Sequence, residues 1–251
     1  MTQILALAGF GFLLGMRHAT DADHVIAVTT ILNRSQRFLD TTLIGALWGL
    51  GHTVTVVTVG VLIIVFNVVI PPPVGLAMEF AVALMLIGLG LLNLFGGLRS
   101  LTERLTPPAP MHAHEHAHGG AAHGHLHGHG RERGLLATFG RYQLIRPVVV
   151  GLVHGLAGSA AVALLVLATI QDTGTALAYL VIFCLGVAGG MAVLTTVIGL
   201  PFMVSRARSA QINRWLTIGS GILSLAFGLL LAYEIGFLGG LFTGDFKWEP
   251  A

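Results

Sequence analysis

Six long apolar runs decide what this chain can become. They span about Ile4–Leu32, Leu43–Ile70, Val74–Leu98, Val148–Ile170, Ala176–Val204 and Ile212–Leu241. Each reaches or exceeds the roughly 20 residues that a helix needs to cross a hydrocarbon layer about 30 Å thick. Charged residues make up only 10% of the chain, against about 25% in a soluble domain, so they cannot cover a water-exposed surface. Short alternating segments, the mark of a membrane β-barrel, are missing from the sequence pattern. Pro71, Pro72 and Pro73 break runs two and three, and Gln171-Asp172-Thr173-Gly174 breaks runs four and five. The expectation is an all-α polytopic membrane protein with six transmembrane helices.

Basic residues give the orientation. Arg34 and Arg37 follow run one. Arg99, Arg104, Arg131, Arg133, Arg141 and Arg146 lie around the junction of runs three and four, and Arg206, Arg208 and Arg214 around that of runs five and six. Eleven of the thirteen Lys and Arg thus occupy alternate loops, which the positive-inside rule makes cytoplasmic. Both termini are then expected outside, in a multi-pass protein of the cytoplasmic membrane. An N-terminus without a basic stretch, followed by so long an apolar run, argues against a cleaved signal peptide. As one straight helix the first run would extend about 45 Å, so it must tilt, protrude or break.

The chain divides into residues 1–105, 106–146 and 147–251: a three-helix half, a flexible His-rich cytoplasmic loop, and a second three-helix half. Gly15-Met16-Arg17-His18 in the first half is echoed by Gly151-Leu152-Val153-His154 in the second, and Leu50-Gly51 by Leu185-Gly186. An odd number of spans per half makes the two repeats inverted, an arrangement that places transporter sites near the midplane between them. Pairs such as Gly11/Gly15, Gly45/Gly49 and Gly151/Gly155 let helices approach closely.

Chemistry concentrates in run one, at Arg17-His18-Ala19-Thr20-Asp21-Ala22-Asp23-His24. A charge at the bilayer centre costs about 2.5–3.5 kcal/mol on insertion scales, so such a cluster needs partners, water or a metal. On an ideal helix, at about 100° per residue, His18, Asp21 and His24 share one face. Arg17 falls within it and can pair with Asp21, whereas Asp23 points elsewhere unless the helix unwinds. Two imidazoles and a carboxylate suit Ni(II), Co(II), Cu(II) or Zn(II) better than Mg(II) or Ca(II). His52 in run two lies roughly 15 Å deep, and His154 in run four slightly shallower. These four histidines in three runs point to one shared site, with His154 and Arg17 the less certain members. Glu79 and Glu234, near the outer ends of runs three and six, fit interfacial snorkelling.

The other eight histidines, His112, His114, His116, His118, His123, His125, His127 and His129, alternate with small residues after Pro107, Pro108 and Pro110. That composition fits an auxiliary metal-binding loop. A lone cysteine, Cys184, excludes a disulfide framework and a Cys-based zinc site. The one His-Glu-x-x-His spacing, His114-Glu115-His116-Ala117-His118, falls in the Gly-rich tract rather than in an apolar run, and no His boxes of the di-iron kind lie outside the tract, so an enzyme is not expected. The partners that these residues require are a divalent transition-metal ion and a bilayer, not a nucleic acid. No cofactor is held permanently; the ion is cargo.

Arg17 to Val25 resembles the signature of the nickel/cobalt transporter family within the NicO superfamily: a His, four residues, then Asp-His. Leu50-Gly51-His52-Thr53-Val54 is similar to that family's second motif. The resemblance implies uptake of Ni(II) or Co(II), with His18, Asp21, Asp23, His24 and His52 carrying it. It is strong over the first two runs. In the second half, where eight-span members carry Asp-rich motifs, Gly151–Ser159 and Gly190–Thr196 contain no acid. The chain therefore looks more like the shorter, urease-associated branch, which implies nickel chaperones or urease and hydrogenase maturation proteins as cytoplasmic partners. Export of the same ions, as by related six-span members with a His-rich loop, and a membrane metallochaperone remain open alternatives at this level.

Overall fold

The computed structural model describes residues 2–32, 38–66, 68–96, 111–118, 121–128, 141–156, 170 and 172–248. Seven α-helices occupy these residues: α1 (Thr2–His18), α2 (Ala22–Ile31), α3 (Phe38–Phe66), α4 (Pro72–Leu94), α5 (Arg141–His154), α6 (Thr173–Arg208) and α7 (Ala210–Tyr233). A π-helical turn, Glu234–Leu238, continues α7. Four of the helices, α3, α4, α6 and α7, are long and apolar enough to cross a membrane.

The first apolar run is two helices. α1 stops at His18, the chain turns through Ala19 and Thr20, and α2 starts after Asp21. The Thr20 hydroxyl donates to the Arg17 carbonyl at 2.6 Å, satisfying an end group of α1. The fourth run is described as α5 up to Leu156; residues 157–169 lie outside the described residues, as does His129 of the tract.

Local chemistry sets the other ends. Pro72 and Pro73 open α4, where a missing N–H costs nothing. Gly96 follows that helix at φ +67°, the left-handed conformation that a glycine adopts freely. Asp172 precedes α6, and its carboxylate accepts from the Thr175 N–H at 2.7 Å and the Thr175 hydroxyl at 2.6 Å. Those two bonds hold the Asp172 carboxyl below its ordinary pKa.

Polarity is arranged opposite to that of a soluble bundle. Leu13, Leu50, Val54, Leu185, Val193 and Leu229 face outward, while His18, His24, His52, His154, Thr30, Thr195 and Ser224 are buried. Such a surface suits lipid, where helices associate through close packing and internal polar contacts rather than by hiding apolar area. Glycines make the closest approaches. A Cβ on Gly15 of α1 would collide with the Phe183 carbonyl of α6, and one on Gly186 of α6 with Phe12. Likewise Gly151 of α5 abuts Trp48 of α3, and Gly51 of α3 abuts Val148. Gly11 against Tyr179 and Gly190 against Met16 make α1 and α6 parallel, and Gly151 against Trp48 with Gly155 against His52 and Thr55 makes α5 and α3 parallel. α3 runs antiparallel to α6, with Gly45 against Thr195 and Gly60 against Leu180. α4 is antiparallel to α7, where Ser224 donates to the Leu86 carbonyl at 2.8 Å and Asn93 to Ser220 at 3.1 Å. Trp248 reaches back from the C-terminal segment to donate to Glu79 at 2.9 Å.

Within the His-rich segment the backbone runs as two strands. Met111–His118 (β1) and Ala121–Gly128 (β2) form an antiparallel pair in which His112 stands opposite His127, His114 opposite His125 and His116 opposite His123. The physical reason is the alternation itself: a period of two matches the pleat of a strand.

Candidate metal centre

The break between α1 and α2 builds the centre. It ends α1 with His18 and places Asp23 and His24 in the first turn of α2, on a different axis. His52 enters from α3 and His154 from the last residue of α5. All four imidazoles are buried, His24 and His154 completely. The His24 ring centroid lies 4.7 Å from that of His18, 5.3 Å from His52 and 4.2 Å from His154. Trp48, one turn before His52, forms a wall, its ring centroid 5.6 Å from those of both His24 and His154.

The two aspartates orient the rings differently. The Asp21 carboxylate is 2.9 Å from His18 Nδ1. Although Asp21 sits at the N-cap of α2, its side chain makes no cap bond there. Asp23 Oδ1 accepts from the His24 backbone N–H at 2.9 Å and meets His24 Nδ1 at 3.1 Å. Asp23 Oδ2 lies 3.0 Å from His154 Nε2, close enough to pair although outside hydrogen-bond geometry. A carboxylate only accepts, so the proton in the Asp21–His18 and Asp23–His24 contacts sits on Nδ1 and leaves Nε2 with a lone pair. Carboxylates that fix a ligand's tautomer in this way raise its basicity toward a metal.

What remains is a set of nitrogens turned toward one another. His18 Nε2 and His52 Nε2 share a hydrogen bond at 3.2 Å. That is close to the edge of a coordination shell with bonds of about 2.1 Å. His24 Nε2 and His52 Nδ1 are buried without a hydrogen-bond partner. An orphaned buried polar atom costs about 1–3 kcal/mol, which an arriving cation would relieve. Donor atoms of His18, His24 and His52 lie within 4.8 Å of one another, and so do those of Asp23, His24 and His154. Both α1 and α5 end here, so the partial negative charge of two helix C-termini adds to the attraction for a cation.

The structure brings some of the residues singled out in the sequence together and sets others apart. His18, His24 and His52 come together, and His154 joins them. Asp21, expected on the ligand face, stands behind His18 instead. Arg17 is exposed, and the ion pair of Asp21 is with His18 rather than with that arginine. Asp23, which an unbroken helix would turn away, comes inside because the helix does break. Trp48 was not singled out beforehand, although an aromatic one turn from a buried His is the signal that could have found it.

Comparison with known proteins decides what such a site serves. The family model described as NicO, high-affinity nickel-transport protein, matches residues 4–236. The chain belongs to the NicO family. It is similar to the urease accessory protein UreH of Bacillus sp. (strain TB-90), at 34% identity over 240 residues, covering 96% of each chain. No solved structure matches it. This NicO protein is thus a multi-pass membrane protein that transports nickel, and not an enzyme.

Proposed function

We propose that nickel crosses the cytoplasmic membrane inward through the cluster of His18, His24, His52 and Asp23, with His154 beside it. The observation that carries this reading is the convergence of buried imidazoles from separate helices with unpaired nitrogens between them. Neutral imidazole suits Ni(II) and Co(II) among the borderline divalent ions, and one carboxylate offsets part of the ion's charge where the dielectric is low. Asp21 serves by orienting His18.

The architecture that we infer is six spans in two inverted halves, with both termini outside and the His hairpin in the cytoplasm. Supporting it is a reciprocity of contacts. α1 meets α6 through Gly15 and Gly186 as α5 meets α3 through Gly151 and Gly51, and both α1 and α5 end in Gly-x-x-His. The basic residues in alternate loops support the orientation. The hairpin, with histidine opposite histidine at three positions, collects nickel at the inner face. Urease maturation proteins are its clients in this reading, which the similarity to UreH supports.

Radioactive nickel flux into proteoliposomes of known orientation tests the direction. Accumulation driven only from the face bearing the hairpin would reverse it to export.

A further inference from the structure

We infer that the centre contains two cation positions, the second made by Asp23, His24 and His154, and that His24 is the ligand common to both. This rests on the reading that nickel passes through the cluster. The first position is all nitrogen and belongs to α1, α2 and α3. The second adds a carboxylate and draws His154 from α5. Two donor sets share one residue: His18, His24 and His52, and Asp23, His24 and His154, each with donor atoms within 4.8 Å. The five side chains do not fall into one such set; they divide into these two, which meet at His24.

Asp23 stands between the two histidines of this second set: Oδ1 is engaged by the backbone and ring N–H groups of His24, and Oδ2 faces His154 Nε2. His24 keeps its proton on Nδ1 and leaves Nε2 for the ion in either position, and Asp23 releases its bond to His24 Nδ1 as its carboxylate swings onto an ion held at Nε2. Passage from the first to the second breaks the bonds from the metal to His18 and His52. It forms bonds to Asp23 Oδ2 and His154 Nε2, while His24 stays bound. No electron is transferred, and as His154 Nε2 takes the ion its proton passes to Nδ1, which has no other partner. The ion exchanges one ligand at a time and is never stripped bare in a low-dielectric interior, where an uncompensated charge is most costly. The anionic second position draws it forward.

The test uses the full-length chain with the eight tract histidines changed to Gln, purified in detergent and probed with Ni(II). Equilibrium dialysis gives the stoichiometry, and nickel K-edge absorption the nitrogen and oxygen ligands. His18→Ala with His52→Ala removes the first position. That double variant is expected to bind one nickel through a shell richer in oxygen than the parent's, and to lose it entirely when His154→Ala is added. No binding by a correctly inserted double variant overturns the second position, and so does binding that survives the triple change. If the alanine pair does not insert, His18→Gln with His52→Gln serves in its place under the same criteria. A parent protein that binds no nickel is a separate result, and it sinks the underlying reading instead.

Discussion

Three residues carry most of the argument at the smallest scale. His18, Asp21 and His24 occupy one face of an ideal helix, yet only the histidines enter the centre. Asp21 is turned onto His18 Nδ1, and Asp23 takes the inner place. This gives Asp21 the role of holding a tautomer, so Asp21→Asn should weaken nickel binding by about 10–100-fold without altering insertion, as dialysis against nickel would show. Unchanged affinity would mean that the contact is incidental. Ligation also requires a neutral imidazole. Nickel affinity should therefore fall on acidification and recover on neutralisation. Affinity that stays unchanged down to the acid limit of folding would argue against histidine ligands. The histidines were legible in the sequence because ionisable groups are so unfavourable in an apolar run. The exchange between the aspartates was not, because it depends on where the backbone turns.

At the scale of elements, the α1–α2 break was foreshadowed only by excess length. The run contains no proline near residue 20; what ends α1 is the Thr20 hydroxyl on the Arg17 carbonyl. The small-residue pairs were visible as spacings, but a spacing does not name its partner. The structure supplies partners, and with them a sharp contrast among glycines. Gly151 sits against the Trp48 backbone, with His52 N also within 2.9 Å of a Cβ built there, whereas Gly219 has nothing within 4 Å. Gly151→Ala should lower stability by about 1–3 kcal/mol, the usual cost of overpacking. Gly219→Ala should be neutral or mildly stabilising, since alanine is the better helix former. Thermal unfolding of both variants in the same detergent checks the pair, and equal melting temperatures would remove the close α3–α5 contact from the account. The strand pairing of the His tract lay in plain view as a period of two, but composition rich in Gly and His suggested a flexible loop first.

Considered whole, the molecule presents apolar side chains outward and keeps the four imidazoles of its helices inside, as a carrier of a polar cargo through lipid must. The proposed orientation is checked by single cysteines at Ala113 and Ala251 in a Cys184→Ala background. Impermeant reagent added outside intact cells should label position 251 and spare 113; the reverse pattern would invert the assignment. The central claim, that nickel travels by way of the buried histidines, is tested most directly by radioactive nickel flux in proteoliposomes carrying either the wild-type protein or His24→Ala. Flux from the wild type, with the variant reduced to the level of protein-free liposomes despite normal insertion, is the predicted result. Wild-type flux through His24→Ala would contradict the account and leave the buried histidines with a structural role alone.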